Sequence, residues 1–362
     1  MNNHAITTRL ISFLAFASLS VMTFFVTSCG GGGDSTPTYT VGGTVTGAVG
    51  TGLVMQLNAA NNLSISANGT FTFTPALTSG TGYAVTVLSA PTGQTCRVTN
   101  GSGSVTANVS NVSVECRTND DPNGYYTNTG SASVGDGASG LLDITDFQAI
   151  VQDNRFMAMS VANKLVYDGP LEMFGNVFTA TVSVYRDGVM IYSGVSVSGT
   201  VMAGTSISGN FNGTQQGAGS FGLVFATTNT GAADVARIDT SVANPTWASP
   251  LGNSTTSTEF DISNTAAVYG YGGISDGNFQ GCTIYTVSGG SPVAVRAISG
   301  SRLYRVTVQL SDCDNTAIQT IVGSAGYYTG FATSRTDSVA DDTLVFMVTS
   351  ANGQYTASGD FK

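Results

Sequence analysis

The sequence predicts an all-β protein: a small β-sandwich followed by a larger antiparallel domain, either an up-and-down barrel or a second sandwich. Three observations carry this. Short runs alternate apolar and polar residues, the period-two pattern of half-buried strands, and a helical period persists almost nowhere. The runs are separated by Asn-Gly, Asp-Gly and Gly-Ser pairs, the turn chemistry of hairpins. The 362 residues include 46 Gly, 41% are hydrophobic and only 9% are charged, against roughly 25% charged in an average domain. That is not the charged, apolar-poor composition of a disordered chain, and the length suffices for two cores. The balance of 12 basic against 22 acidic residues argues against a nucleic-acid partner.

Residues 1–28 read as a signal peptide. Arg9 gives a positive start, Leu10 to Val26 is an apolar run, and small residues precede Cys29. The run is short for a spanning helix and has no positive flank on its far side. Val26-Thr27-Ser28-Cys29 resembles the bacterial lipoprotein lipobox. The resemblance implies cleavage before Cys29 and acylation of that residue, palmitate-type chains included. Each buried CH₂ contributes about 0.8 kcal/mol, and two chains suffice for stable anchoring. Residues 29–37 then form a Gly-rich tether, and Gly30 after the cysteine favours the outer membrane over inner-membrane retention. Cleavage removes Arg9 and the single His4, leaving 11 basic against 22 acidic residues and no histidine.

Five cysteines are an odd number for an exported chain. Assigning Cys29 to lipid leaves Cys96, Cys116, Cys282 and Cys313. Local pairing, Cys96 with Cys116 and Cys282 with Cys313, is the simplest of three connectivities, each bridge contributing on the order of 3 kcal/mol. Neither pair has metal-ligand spacing, and no metal or other cofactor is expected.

Residues 38–117 suit a small sandwich. Leu63 and Ile65, Asn68-Gly69, then Phe71 and Phe73 read as a hairpin with one apolar face. The runs TVGGTVTG, ANGTFTF, GYAVTV, QTC and VSVEC resemble a bacterial extracellular immunoglobulin-like repeat, which implies a stalk. Residues 118–123, polar, acidic and containing Pro122, read as a linker.

Residues 124–362 show no further break. Phe178, Ala180, Val182 and Val184 alternate with polar residues before Asp187-Gly188, and Val189, Ile191, Val195, Val197 and Val201 share one parity. Tyr304–Leu310 and Leu344–Val348, before Asn352-Gly353, repeat the design; one short helix is expected near 232–240. Gly124-Tyr125-Tyr126-Thr127 recurs as Gly326-Tyr327-Tyr328-Thr329, read as the recurrence of a strand type. Consecutive hairpins that hide their edges favour a closed up-and-down barrel. Ile207–Gly213 followed by Gly217–Phe225 resembles the calycin-like barrels of bacterial surface lipoproteins, the transferrin-binding and factor-H-binding types among them. The outward parity is often Thr and Ser, which argues against a membrane-spanning barrel.

Catalytic groups are sparse. Without His, the Ser-His-Asp and Cys-His arrangements are excluded, and Lys164 reads as a solvated hairpin residue. Glycoside hydrolysis needs only paired carboxylates; Asp143 with Asp146, Glu172, Glu259 with Asp261, and Asp341 with Asp342 are the candidates. Asp312, Asp314 and Asn315, like Asp120 and Asp121, lack the Gly and closing Glu of a calcium loop and read as solvated turns. Trp247 reads as a barrel plug or a stacking platform. One tyrosine of each pair Tyr125/Tyr126 and Tyr327/Tyr328 is expected to face outward, as binding surface or as an inter-domain contact. The expected protein is therefore a non-enzymatic, lipid-anchored binding or adhesion module for an envelope or host ligand. Its alternatives are a structural envelope component and a carboxylate-dependent glycan hydrolase.

Overall fold

From Thr38 onward, alternating small apolar and hydroxyl side chains build two four-stranded sheets packed face to face. The structure, a computed structural model, describes residues 36–128, 130, 132–135, 141–186, 188–213, 217–226, 303–311, 316, 319–320, 326–336 and 342–361, with short strand segments between 246 and 297. The first unit contains β1 (Thr38–Tyr39), β2 (Val41–Thr46), β3 (Leu53–Leu57), β4 (Asn61–Ile65), β5 (Gly69–Thr72), β6 (Leu77–Thr78), β7 (Gly82–Ser89), β8 (Gln94–Thr99), β9 (Ser102–Ser104) and β10 (Val109–Thr118). One sheet runs β5-β2-β10-β8 and the other β4-β3-β7-β9. Val41, Val45, Phe71, Val112 and Val114 of the first meet Leu53, Met55, Leu57 and Val85 of the second in the core.

The expected hairpin around Asn68-Gly69 does not form. β4 pairs with β3 and β5 with β2, so the turn carries the chain from one sheet to the other. The Asn68 amide binds both the N–H and the C=O of Ala48 at 2.9 Å, which pins this crossing to the β2–β3 loop. Turn residues permit a reversal; they do not choose the partner.

The second unit is a closed barrel of β11 (Gly124–Asn128), β12 (Ala132–Gly135), β13 (Leu141–Ile144), β14 (Gln148–Gln152), β15 (Arg155–Ser160), β16 (Leu165–Phe174), β17 (Val177–Arg186), β18 (Val189–Met202), β19 (Ser206–Gly213) and β20 (Gly217–Phe225). From β14 to β20 each strand pairs antiparallel with the next, and β11 pairs with both β14 and β20. This is an eight-stranded up-and-down ring, with β12 and β13 extending its seam beside β20. It closes within residues 124–225, inside the 124–362 span that the sequence suggested.

Aromatic rings fill the barrel. Phe147, Phe156, Tyr167, Phe178, Phe211 and Phe221 contact one another with centroids 4.9–6.3 Å apart. Room for them comes from glycine. Phe178, Gly199, Gly209 and Phe221 are successive cross-strand partners on β17–β20. A Cβ on Gly199 would lie 2.7 Å from the Phe178 ring, and one on Gly209 would lie 2.9 Å from Phe221. Two missing side chains in the middle of a row thus admit two large ones at its ends.

β18 departs from the expected single parity. Its pairing with β17 slips twice between Val195 and Met190, with Gly194 at φ 74°. The two extra residues turn Tyr192 toward the core and leave Ile191 exposed, as bulges do.

The remaining strands are β21 (Thr246–Trp247), β22 (Phe260–Ile262), β23 (Val268–Tyr269), β24 (Gly273–Ile274), β25 (Cys282–Tyr285), β26 (Val295–Ala297), β27 (Tyr304–Ser311), β28 (Tyr327–Thr336), β29 (Asp342–Ser350) and β30 (Thr356–Phe361). β21–β23 form one small sheet and β24–β30 a seven-stranded one. The larger sheet lies against the outside of the barrel, with β28 beside β14 and β29 beside β15. Tyr125, Ile150, Met157, Met159, Val166 and Tyr185 of the barrel wall meet Leu303, Phe331, Val345 and Met347. The short helix expected near 232–240 lies outside the described residues.

Candidate functional site

Of the covalent sites expected from sequence, the Cys96–Cys116 disulfide is present, joining directly opposed residues of β8 and β10. Cys29 and Cys313 lie outside the described residues, and Cys282 is described only as backbone of β25.

The aromatic candidates separate. Tyr126 points into the barrel, edge-on to Phe225 at 5.6 Å, and its hydroxyl donates to the Pro122 carbonyl at 2.8 Å. Tyr125 faces outward but is covered by the C-terminal sheet, its hydroxyl donating to Gln148 Oε1 at 2.5 Å. Tyr328 is fully buried, and Tyr327 alone of the four is exposed, at 42%. Burial pushes the Tyr126 and Tyr328 hydroxyls above the ordinary phenol range. Trp247 is described as backbone, paired with Phe260.

The acidic candidates do not assemble among the described residues. Asp143 and Glu172 are exposed on β13 and β16. Asp146 closes the β15–β16 turn, accepting from the Ser160 hydroxyl at 2.6 Å and the Ala162 amide at 2.8 Å. Lys164 is exposed in that turn at φ 55°. Asp121 accepts from the Asn123 amide. Asp261 and Asp342 are described as backbone; Glu259, Asp312, Asp314, Asn315 and Asp341 lie outside the described residues. No group of three His, Cys, Asp or Glu side chains among the described residues is placed to hold a metal ion.

Three other features organise the molecule. The first is a joint between sandwich and barrel. Phe174 and Gly175, at the tip of the β16–β17 hairpin, rest on the sandwich. Two guanidinium groups lie over the Phe174 ring, Arg97 at 4.3 Å and Arg117 at 4.7 Å from its centroid. Such cation–π contacts each contribute about 0.5–2 kcal/mol. The Gly175 amide donates to Asn119 Oδ1 at 3.0 Å, and the Gly175 carbonyl accepts from the Asp120 amide at 3.0 Å. Asn119 is held in turn by the Gly93 carbonyl at 2.9 Å and by Thr95 Oγ1 at 2.8 Å. The polar stretch read as a linker is thus stitched at both ends, because Asn and Asp side chains bond the backbone of neighbouring turns.

The second is the junction of the barrel with the C-terminal sheet. Arg155 donates from Nε and Nη2 to both oxygens of Asp168 at 2.7 Å. The fork geometry suits a carboxylate, and Asp168 is 8% exposed. Arg155 Nη1 also reaches the Thr329 carbonyl at 3.3 Å. Arg305 makes a similar fork to Asp153 at 2.6 and 2.7 Å. That guanidinium holds the Asp153 carboxyl below the usual carboxylate range. Tyr185 donates to the Gly353 carbonyl at 2.9 Å; burial first, then Asp168, pushes its hydroxyl up to about 12.

The third is the opposite, uncovered wall. On β17–β20 the outward residues include Thr179, Thr181, Ser196, Ser198, Thr200, Ser208, Asn210, Asn212 and Ser220, all exposed but the half-buried Ser198, with Met202 and Val224 exposed beside them. Cross-strand contacts tie them: Thr200 to Ser208 at 3.2 Å, and Asn212 Nδ2 to Ser198 Oγ at 3.1 Å. It is a nearly charge-free sheet of hydroxyl and amide groups.

Sequence reasoning missed the joint and the Arg155–Asp168 pair. A signal for the joint was present: each bridged cysteine is followed directly by an arginine. No protein-family model, curated protein or solved structure matches this chain.

Proposed function

We propose that the protein is a lipid-anchored component of the bacterial outer membrane, a non-catalytic binding or adhesion module. Cys29 carries the acyl chains at the start of the 29–37 tether, the sandwich is the stalk and the barrel is the head. The observation that best supports the reading is how the barrel distributes its side chains. Its interior is filled with aromatic rings, so it acts as a scaffold and not a container. Its uncovered wall presents hydroxyl and amide groups to solvent, a surface suited to recognition.

Two measurements test this. Cells fed labelled palmitate are expected to yield labelled protein in the outer-membrane fraction, and Cys29→Ala is expected to lose both label and membrane association. Label retained by Cys29→Ala overturns the anchor. Intact cells displaying the protein are expected to bind host or envelope extracts more strongly than cells lacking it; no difference overturns the binding role.

A second reading, a structural spacer, is favoured by the stitched joint, since fixed orientation serves spacing as well as presentation. A deletion strain with unaltered envelope spacing and integrity removes it.

A further inference from the structure

The disulfide and the stalk–barrel joint share one stretch of sheet. β8 ends its sheet, and β10 is its one ladder partner among the described strands. Three of the joint's anchors ride on β8 or immediately before it: the Gly93 carbonyl and the Thr95 hydroxyl, which hold Asn119, and Arg97, which lies over the Phe174 ring. Arg117, which also contacts the ring, sits on β10, which β2 and β8 flank. Cys96 and Cys116 face each other in the β8–β10 ladder, one residue before Arg97 and Arg117. The covalent bond therefore fastens the edge strand at the place where it grips the barrel.

We propose that the Cys96–Cys116 disulfide is a redox-sensitive lock on the orientation of the barrel relative to the stalk. Oxidised, it keeps Arg97 and Thr95 at the spacing that clamps Phe174 and Asn119. Reduced, β8 keeps its ladder to β10 and the Gln94 and Thr99 side-chain hydrogen bonds but loses its covalent tie beside Thr95 and Arg97; an edge strand frays first, and the barrel gains freedom about residues 119–123. The reductant is a dithiol. Its thiolate attacks one sulfur of the bridge, its second thiol resolves the mixed disulfide, and it departs as its own disulfide while its two hydrogens end on Cys96 and Cys116. The lock is independent of whether Cys29 is acylated.

Hydrogen exchange on the full chain tests it, with wild type compared with C96S/C116S and with Phe174→Ala. The double variant isolates this bridge from any other. In it, exchange of the Asn119 and Asp120 amides is expected to rise about tenfold or more while Val41–Thr46 keeps wild-type protection. Phe174→Ala, with the bridge intact, is expected to raise exchange at the same two amides. Wild-type exchange at Asn119 and Asp120 in either variant overturns the proposal. So does loss of protection throughout the sandwich of C96S/C116S, which makes the bridge a staple of the fold and not a lock.

Discussion

The two halves of the barrel wall are built on opposite rules. Along β17–β20, apolar residues point in and Thr, Ser and Asn point out, so each strand is wetted on one face. Along β14 and β15 every residue from Gln148 to Gln152 and from Phe156 to Ser160 is buried, because the C-terminal sheet covers the outside. The strands report the difference in their composition. Ala149-Ile150-Val151 and Phe156-Met157-Ala158-Met159 are continuous apolar runs, the composition of strands buried on both faces, whereas Phe178–Tyr185 alternates. One ring of hydrogen bonds can therefore serve as a core layer on one side and a display surface on the other.

Charge placed on the two halves separates them most sharply. Met157→Lys puts an ammonium between the barrel and the C-terminal sheet, opposite an Asp168 whose two oxygens Arg155 already holds, and is expected to cost about 4 kcal/mol or more. Denaturant unfolding measures this, and a cost under about 1 kcal/mol would mean that the sheet does not cover the wall in solution.

Removing the partner of a half-buried cation comes next. Asp168→Ala leaves Arg155 unpaired at the same junction and is expected to cost about 2–3 kcal/mol, discounted from a fully buried pair because Arg155 is 26% exposed.

Gly199→Ala probes the wall from inside. Its methyl group meets the Phe178 ring and the Ser208 carbonyl, so backbone must shift, and about 1–3 kcal/mol of stability is expected to be lost whichever half is covered.

Alkali tests the covered half through Tyr185. The Tyr185 hydroxyl has a folded pKa raised to about 12, against about 10 when unfolded. The stability this contributes is fully present below pH 10 and lost as pH rises toward 12. Thermal melts with a Tyr185→Phe control are expected to show a smaller alkaline loss in the variant.

Smallest is Ser208→Lys on the uncovered half, expected within about 0.5 kcal/mol of wild type in the same melts.

Alternation and turn chemistry made much of the fold legible. Gly188 and Asn352-Gly353 lie where strands reverse, and Cys96 pairs with Cys116 as local spacing suggested. The candidate site was less legible. The recurring Gly-Tyr-Tyr-Thr gave strands with a fully buried second tyrosine in both copies, yet only tertiary packing covered Tyr125 while leaving Tyr327 exposed. The break in parity at Ile191 followed from a bulge at Gly194 that a list of apolar residues does not contain. At Asn68-Gly69 the flanking strands went to different sheets, β4 to β3 and β5 to β2.

Sequence alone determined that this chain folds as strands and where most of them turn. Those properties are local: they follow from a period of two and from residues that tolerate a positive φ. Tertiary structure alone decided which strands became partners, which half of the barrel wall lost its water, and that a polar connector would be pinned beneath Phe174. Pairing, covering and clamping depend on groups distant in the chain meeting at hydrogen-bond or van der Waals range, and no local pattern encodes that meeting.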